Sequence, residues 1–156
     1  MAQLQNDLSE FIGLLNSHGV EYLIVGGYAV AFHGHPRLTG DIDVFVRPTA
    51  ENAARVLATL ESFGFVDHGL DPTLLTSPDR IVQLGSPPNR IDLLSSISGL
   101  DYDEAWSSRV PGRLGERDVH YIGLEALLKN KTVSGRTTDS ADVEKLRSVN
   151  AAHDVE

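Results

Sequence analysis

The sequence predicts an α/β (α+β) fold in which helices flank a mixed β-sheet. Three observations indicate this class. Helical and strand-like patterns alternate along the chain, short glycine- and proline-rich breaks separate them, and the sequence contains neither repeats nor low-complexity runs. With 156 residues and 41% hydrophobic content, the chain is large enough to bury a core, and we expect a single domain over residues 1–156.

The first half of the chain predicts the element order αβαβα. Gly19 and Gly64 follow apolar helical patterns and mark helix ends, and Thr49 is a suitable N-cap for the helix after it. The predicted elements are a helix over 4–15, a strand over 22–25, a short helix over 28–32, a strand over 41–46 and a helix over 53–63.

The second half predicts further strands and a closing pair of helices. Apolar and β-branched residues favour strands over 80–84, 90–94 and 118–122. Helical spacing returns over 124–131 and again over 139–149. The predicted architecture is therefore a mixed sheet followed by a C-terminal helix pair.

Composition and charge exclude several classes of protein. The chain has no cysteine, which excludes disulfide frameworks, thiolate zinc sites and cysteine nucleophiles. Thirteen lysines and arginines against 22 acidic residues give a net charge of −9, which opposes tight, sequence-independent binding to nucleic acid. The 22% of charged residues is not typical of a membrane-spanning chain, and the N-terminus lacks the basic stretch of a signal or transit peptide. We expect a cytoplasmic protein without membrane contact.

The residues that carry chemistry concentrate between Gly26 and Asp43. Gly26 and Gly27 lie between a predicted strand and a predicted helix, where two glycines allow a sharp turn and let a ligand approach backbone N–H groups. The start of the following helix offers unpaired donors to an anion such as phosphate. Ordinary turn chemistry is the competing explanation for this pair.

Asp41 and Asp43 form an Asp-x-Asp motif in a predicted strand. Because strand side chains alternate, both carboxylates share one face, roughly 6.5–7 Å apart along the strand. Two carboxylates on one face can converge on a hard divalent cation such as Mg²⁺. The alternative is a solvated start of a strand whose two acids face water.

Asp92 is a third acid inside an apolar predicted strand. A charge there costs free energy unless it is paired or bound to metal. If this strand lies beside Asp41 and Asp43, three carboxylates can hold two Mg²⁺ about 3.5–4 Å apart for in-line phosphoryl displacement. The alternative is a salt bridge from Asp92 to Arg90 or Arg80.

These motifs resemble the DNA polymerase β-like nucleotidyltransferase superfamily. The resemblance is carried by Val25-Gly26-Gly27, by Asp41-Ile42-Asp43-Val44 and by the apolar strand around Asp92. A longer stretch, 26–34 followed by 37–43, is similar to small bacterial nucleotidyltransferases related to AbiEii-type toxins. The segment 129–146 is similar to the closing helix pair of those proteins.

The resemblance implies transfer of a nucleoside monophosphate from an NTP such as ATP, with pyrophosphate leaving. It also implies Mg²⁺, or Mn²⁺, on Asp41, Asp43 and Asp92, a catalytic role for all three acids, and a triphosphate cradled by Gly26 and Gly27. Many relatives carry Gly-Ser at the glycine pair, whereas Gly27 supplies only its N–H. The toxin-like pattern often has lysine where this chain has threonine at position 138.

The resemblance leaves the acceptor open among three functions. The first is an enzyme that modifies a macromolecule, tRNA or protein, as a toxin with a cognate antitoxin does. The second is an enzyme that modifies a small molecule such as an antibiotic. The third is a non-catalytic nucleotide- or protein-binding relative, which the presence of all three acids disfavours.

Four further residues are predicted to bind the nucleotide. Arg37 and Thr39 precede the acids closely enough to reach the same site, and an arginine fork matches phosphate oxygens. Lys129 and Arg136 can complete a phosphate clamp from the C-terminal helices. The alternatives are a structural ion pair for Arg37 and simple solvation for the two C-terminal cations.

Overall fold

The computed structural model describes residues 6–65 and 70–154. Its helices are α1 (Asn6–Ser17), α2 (Gly26–Phe32), α3 (Ala50–Phe63), α4 (Tyr102–Ser107), α5 (Leu124–Ser134) and α6 (Thr137–Asp154), with a 3₁₀ helix at Pro72–Leu75. Its strands are β1 (Tyr22–Val25), β2 (Asp41–Val46), β3 (Ile81–Leu84), β4 (Arg90–Leu94), β5 (Val110–Leu114) and β6 (Arg117–Tyr121).

The six strands form one mixed sheet with the order β3-β4-β2-β1-β6-β5. β2 pairs with β4, and β1 with β6, in parallel, whereas the other neighbours are antiparallel. The sheet and its flanking helices confirm the predicted mixed α/β class. Because β2 lies between β1 and β4, the residues at its start have neighbours on both sides.

β2 brings different side chains to the two faces of the sheet, because strand residues alternate. The residues buried on one face are Ile42, Val44 and Val46. The opposite face carries Asp41, Asp43 and Phe45. The Phe45 ring meets Tyr102 of α4 edge-on, with 4.8 Å between the ring centroids. Helix α4 therefore covers this face at the end of β2, while both acids near its start remain only partly buried.

The C-terminal helices α5 and α6 pack against each other. Gly135 ends α5 with a φ of +70°, a left-handed conformation that glycine adopts without strain. Lys131 of α5 is buried and forms ion pairs with Asp139 and Asp142 of α6, at 3.0 and 3.1 Å. These buried pairs fix α6 against α5.

Several element boundaries differ from the prediction. Helix α2 begins at Gly26 rather than at residue 28, and α5 and α6 extend to Ser134 and Asp154. The sequence patterns do not predict α4, β5 or the 3₁₀ helix. Strand β5 contains a proline and a glycine, which is tolerated because β5 is an edge strand that pairs only with β6. Leu4, at the start of the first predicted helix, lies outside the described residues.

None of the helices in the described part of the chain combines the length and the apolar character needed to cross a membrane.

Candidate active site

Three carboxylates meet at the start of β2 and β4. The parallel register places Asp43 directly opposite Asp92, and Asp41 lies two residues before Asp43 on the same face. One oxygen from each carboxylate lies within 4.8 Å of the others. Asp92 is buried, whereas Asp41 and Asp43 are half-buried. The structure therefore brings together the three acids that the sequence predicts for a metal site.

Gly26 makes room for the carboxylate of Asp43. It has a φ of +65°, in the left-handed region, at the point where β1 ends and α2 begins. A Cβ atom at Gly26 would lie 2.1 Å from Oδ2 of Asp43. Both the backbone conformation and the contact therefore require glycine at this position.

Thr39 holds Asp41 and fills the space beside Gly27. The Thr39 hydroxyl donates to Asp41, at 2.9 Å from its carbonyl oxygen and 3.2 Å from Oδ1. A Cβ atom at Gly27 would lie 3.2 Å from the Thr39 hydroxyl. A serine at position 27, as in the Gly-Ser pattern of many relatives, would crowd this hydroxyl, which explains why glycine suits this chain.

The guanidinium of Arg90 bridges two of the three acids. It contacts Asp92 through two hydrogen bonds, from Nε to Oδ1 at 2.9 Å and from Nη2 to Oδ2 at 3.1 Å. The same Nη2 donates to Oδ2 of Asp41 at 3.1 Å. The salt bridge that the sequence offers as an alternative for Asp92 therefore exists, and it lies within the acidic cluster.

Burial and mutual repulsion shift the acidities of the three carboxyls. Burial raises the pKa of Asp43 to about 7, and the charges of Asp41 and Asp92 raise it in the same direction. Burial would also raise the pKa of Asp41, but hydrogen bonds from Asp92, Thr39 and Arg90 hold it below its ordinary value. Burial raises the pKa of Asp92, against the opposing hydrogen bond from Arg90. The cluster is therefore short of positive charge.

The donor set fits a hard divalent cation. Carboxylate oxygens are the protein ligands that Mg²⁺ and Mn²⁺ prefer, and the spacing of these three lets one ion contact more than one of them. Burial and neighbouring negative charges raise the pKa of Asp43 because they disfavour its ionised form. A cation bound beside Asp43 would stabilise that ionised form, so the site favours cation binding. These residues can therefore hold the metal that the sequence predicts.

A small polar pocket of about 230 Å³ lies on the α2 side of the acids. Its walls include Gly27 at the start of α2, the cationic side chains of Arg37, Lys131 and Arg136, and the acid Asp139. Arg37 donates from Nη2 to Asp142 at 3.1 Å, so it forms a structural ion pair, although with a buried acid rather than the exposed one that the alternative expects. Its buried Nε has no hydrogen-bond partner among the described residues. The recorded bond to Asp142 uses one of five N–H donors, so further donors on the two Nη atoms remain for a ligand.

The two predicted C-terminal cations have different positions. Arg136 lines the pocket and donates from Nε to Asp139 at 2.8 Å, while most of its side chain is exposed. Lys129 lies outside the pocket and forms an exposed salt bridge with Glu104 at 2.8 Å. The structure therefore places Arg136 beside the acidic cluster, whereas Lys129 lies away from it.

The buried lysine of this site is Lys131, which the sequence patterns do not single out. Its pairing with Asp139 and Asp142 places a positive charge close enough to lower the pKa of Asp43. Two signals in the sequence point to it. Lys131 lies four residues after Leu127, on the buried side of α5, and the two aspartates are three residues apart on α6.

A larger cleft of about 590 Å³ opens on the other side of the acids, towards β3. The cleft and the small pocket share five lining residues, which are Asp41, Asp43, Lys131, Arg136 and Asp139, so the two cavities meet at the acidic cluster and its neighbouring cations. Such an arrangement can hold a polyphosphate on one side and a second molecule on the other.

Solved structures with a similar fold include an adenylyltransferase and two proteins described by their likeness to nucleotidyltransferases. The lincosamide antibiotic adenylyltransferase LnuA, in a structure with lincomycin bound, is 19% identical with a TM-score of 0.57, over 96% of this chain and 99% of LnuA. A Thermotoga maritima protein assigned as a nucleotidyltransferase is 15% identical with a TM-score of 0.61, over 88% of each chain. An antigenic nucleotidyltransferase-like protein from Paracoccidioides brasiliensis is 20% identical with a TM-score of 0.55, over 90% of this chain and 74% of that one.

Fold and site together define the class of this protein as a nucleotidyltransferase. The sequence matches, over residues 4–156, the family described as nucleotidyl transferase of unknown function (DUF2204), and the chain belongs to that family. No curated protein matches the sequence. The predicted superfamily and the predicted enzyme class are therefore confirmed. The narrower likeness to AbiEii-type toxins is not confirmed and stays a prediction.

Proposed function

We propose that this nucleotidyltransferase holds Mg²⁺, or Mn²⁺, on Asp41, Asp43 and Asp92 and moves a nucleoside monophosphate to a hydroxyl group of a small molecule. The observation that carries this proposal is the convergence of three carboxylate oxygens, within 4.8 Å of one another, beside a pocket with three cationic side chains. When bound, the metal supplies positive charge that offsets the charge developing on the transferring phosphoryl group.

The small polar pocket is the proposed triphosphate site. The N–H of Gly27 lies at the start of α2, where no side chain caps the helix. Arg37, Lys131 and Arg136 line the pocket together with the acids, and the partly exposed guanidinium of Arg37 can donate to a phosphate oxygen. Thr39 contributes indirectly, because its hydroxyl fixes the Asp41 carboxylate.

Asp92 is the proposed general base. The acceptor hydroxyl oxygen forms a bond to the α-phosphorus of the NTP, the bond from that phosphorus to the bridging oxygen breaks, and pyrophosphate leaves. Asp92 accepts the proton that the hydroxyl loses. The raised pKa of Asp92 suits this role, because a base accepts a proton more readily as its pKa approaches the working pH.

A small-molecule acceptor is supported by two observations. The net charge of −9 opposes extended contact with RNA. LnuA, which shares the fold, is an antibiotic adenylyltransferase with lincomycin bound. A macromolecular acceptor, a toxin role and a cognate antitoxin rest on the sequence resemblance alone.

Transfer of label from each α-³²P-NTP tests the proposal. The purified protein is incubated with Mg²⁺ and lincomycin, a small-molecule extract or total tRNA, and products are separated by chromatography. We expect a labelled small molecule that is not formed without Mg²⁺ or by Asp43→Asn. The matched control, Asp118→Asn, removes a carboxylate that is 90% exposed and should leave transfer unchanged. Label on tRNA alone would contradict the proposed acceptor, and metal-independent transfer would contradict the proposed site.

A further inference from the structure

We infer that the β3 side of the large cleft is the acceptor subsite and that it takes an uncharged, hydroxylated molecule with an apolar face. This inference rests on the proposed function and names the class of its acceptor. It follows from the order of the strands, from the side chains that β3 and β4 present, and from the balance of charge at the cleft.

The strand order fixes the side from which the acceptor approaches. In-line displacement requires the attacking oxygen and the leaving pyrophosphate to lie on opposite sides of the α-phosphorus. The small pocket proposed for the triphosphate adjoins Gly27, directly after β1, and Gly27 and Arg37 line this pocket but not the large cleft. In the sheet, β1 lies on one side of β2, whereas β4 and then β3 lie on the other. The acceptor therefore enters over β4 and β3, next to Asp92.

An apolar floor covers this side of the cleft. Gln83 of β3 lies opposite Asp92, and Ile81 lies opposite Leu94, so all four share the face that carries the acids. Ile81 is 57% exposed, although it belongs to a strand of the sheet. Together with the half-buried Leu94 and Ile97, it lines the cleft. A large apolar side chain that is exposed within a cleft is a surface suited to an apolar ligand.

The charges at the rim of this subsite offset each other. Asp79 and Arg80 are consecutive residues of the cleft lining, and both are exposed. Four further lining residues are uncharged, and they are Gln83, Ser96, Ser98 and Asn130. The other cations of the cleft, Arg90, Lys131 and Arg136, are each paired with an aspartate. The β3 side therefore offers a nucleic acid one arginine next to one aspartate, too little positive charge for several phosphates. A molecule with hydroxyl groups and one apolar face suits this lining better than a nucleic acid does. The cleft, with a volume of about 590 Å³, has the size of a small-molecule site.

Methyl NMR of isoleucine-labelled protein tests the subsite. Hexyl β-glucoside, which has hydroxyl groups and an apolar tail, is titrated in the presence of Mg²⁺ and α,β-methylene-ATP, which cannot release pyrophosphate. Glucose and total tRNA serve as comparison probes. The variants are Ile81→Ser and Val133→Ser. Val133 is also 57% exposed, but it lies on α5 outside the cleft and is therefore a matched control.

We expect hexyl β-glucoside to shift the Ile81 and Ile97 methyl signals saturably and glucose to leave them in place. Ile81→Ser should weaken the binding of hexyl β-glucoside about tenfold, whereas Val133→Ser should leave it unchanged. Both variants should bind the ATP analogue as tightly as wild type. Equal binding to both variants would overturn the inference. Shifts of these methyl signals caused by the ATP analogue alone would also overturn it, because they would place the adenine ring on this apolar floor. Shifts caused by tRNA alone would overturn it as well. Failure of the ATP analogue to bind wild type would instead overturn the proposed function on which the inference rests.

Discussion

Gly26 and Asp43 lie against each other where β1 meets α2, and a Cβ atom at Gly26 would come within 2.1 Å of Oδ2 of Asp43. The glycine pair is therefore more than a flexible turn before a helix. Gly26 provides the space in which the Asp43 carboxylate points towards Asp41 and Asp92. The turn and the acidic cluster are thus parts of one arrangement.

Gly26→Ala should disrupt both the turn and the acidic cluster. The left-handed backbone at Gly26 makes alanine unfavourable by about 1–2 kcal/mol, and displacement of Asp43 adds to this cost. Gly19→Ala is a matched control, because Gly19 has a φ of +70° and a Cβ atom there would meet open space, with no contact within 4 Å. We expect Mg²⁺ binding, measured by calorimetry, to be lost in the first variant and retained in the second. Equal loss of stability and unchanged binding in both would show that the contact with Asp43 has no role.

Lys131→Met should destabilise the protein strongly. The substitution removes the lysine partner of two buried aspartates, although Asp139 keeps Arg136 and Asp142 keeps Arg37. Breaking a buried ion pair costs about 3–5 kcal/mol, and the remaining arginines place the expected loss at the lower end of this range. Lys129→Met, on the same helix, removes an exposed salt bridge to Glu104 worth about 0–1 kcal/mol. Urea denaturation of the two variants measures the difference. Similar losses for both lysines would contradict the burial of the Lys131 network.

Arg90→Gln should tighten Mg²⁺ binding in the absence of nucleotide. The Arg90 guanidinium now satisfies oxygens of Asp41 and Asp92 that a metal would use, so cation and guanidinium compete. Removing this charge should increase affinity roughly tenfold or more. Arg80→Gln removes the same charge from the rim of the cleft and should have a smaller effect. Equal affinity changes in calorimetric titrations of the two variants would exclude competition at the acids.

The stability of the metal-free protein should fall as pH rises from about 4 to about 7. Burial raises the pKa of Asp43 from 3.8 to about 7, so in this interval the folded state holds a proton that the unfolded state has released. Raising the pH therefore favours the unfolded state. Asp43→Asn should flatten the dependence, and Asp118→Asn, at an exposed site, should not. Melting curves across this interval, in a chelator, measure the effect.

The central part of the fold is predictable from the sequence because its signals are local. The Tyr22–Val25 strand and the Asp41–Val46 strand have the predicted bounds, since each is a short apolar run closed by glycine or proline. Helix α3 shows its N-cap at Thr49 and its C-terminal glycine at Gly64 in the sequence. Strand β5 has no such signal, because its proline and glycine interrupt the pattern and its pairing with β6 is a tertiary property.

The site is predictable where strand alternation or closeness along the chain determines it. Alternation alone places Asp41 and Asp43 on one face, but which strand lies beside them depends on the sheet order. The positions of Lys129 and Lys131 illustrate the remaining gap. They are two residues apart on one helix, so they point in different directions. The spacing from Leu127 indicates that Lys131 is the buried one, but its pairing with Asp139 and Asp142 depends on how α6 packs against α5.

Binding of Mn²⁺ in the presence of α,β-methylene-ATP, followed by electron paramagnetic resonance, tests whether the three acids hold a catalytic metal. We expect wild type and Asp118→Asn to bind Mn²⁺ and the analogue together, and Asp43→Asn to lose the bound Mn²⁺ signal while its melting curve still shows a folded protein. Undiminished Mn²⁺ binding by a folded Asp43→Asn variant, or binding of the analogue that is equally tight without any divalent ion, would contradict this expectation.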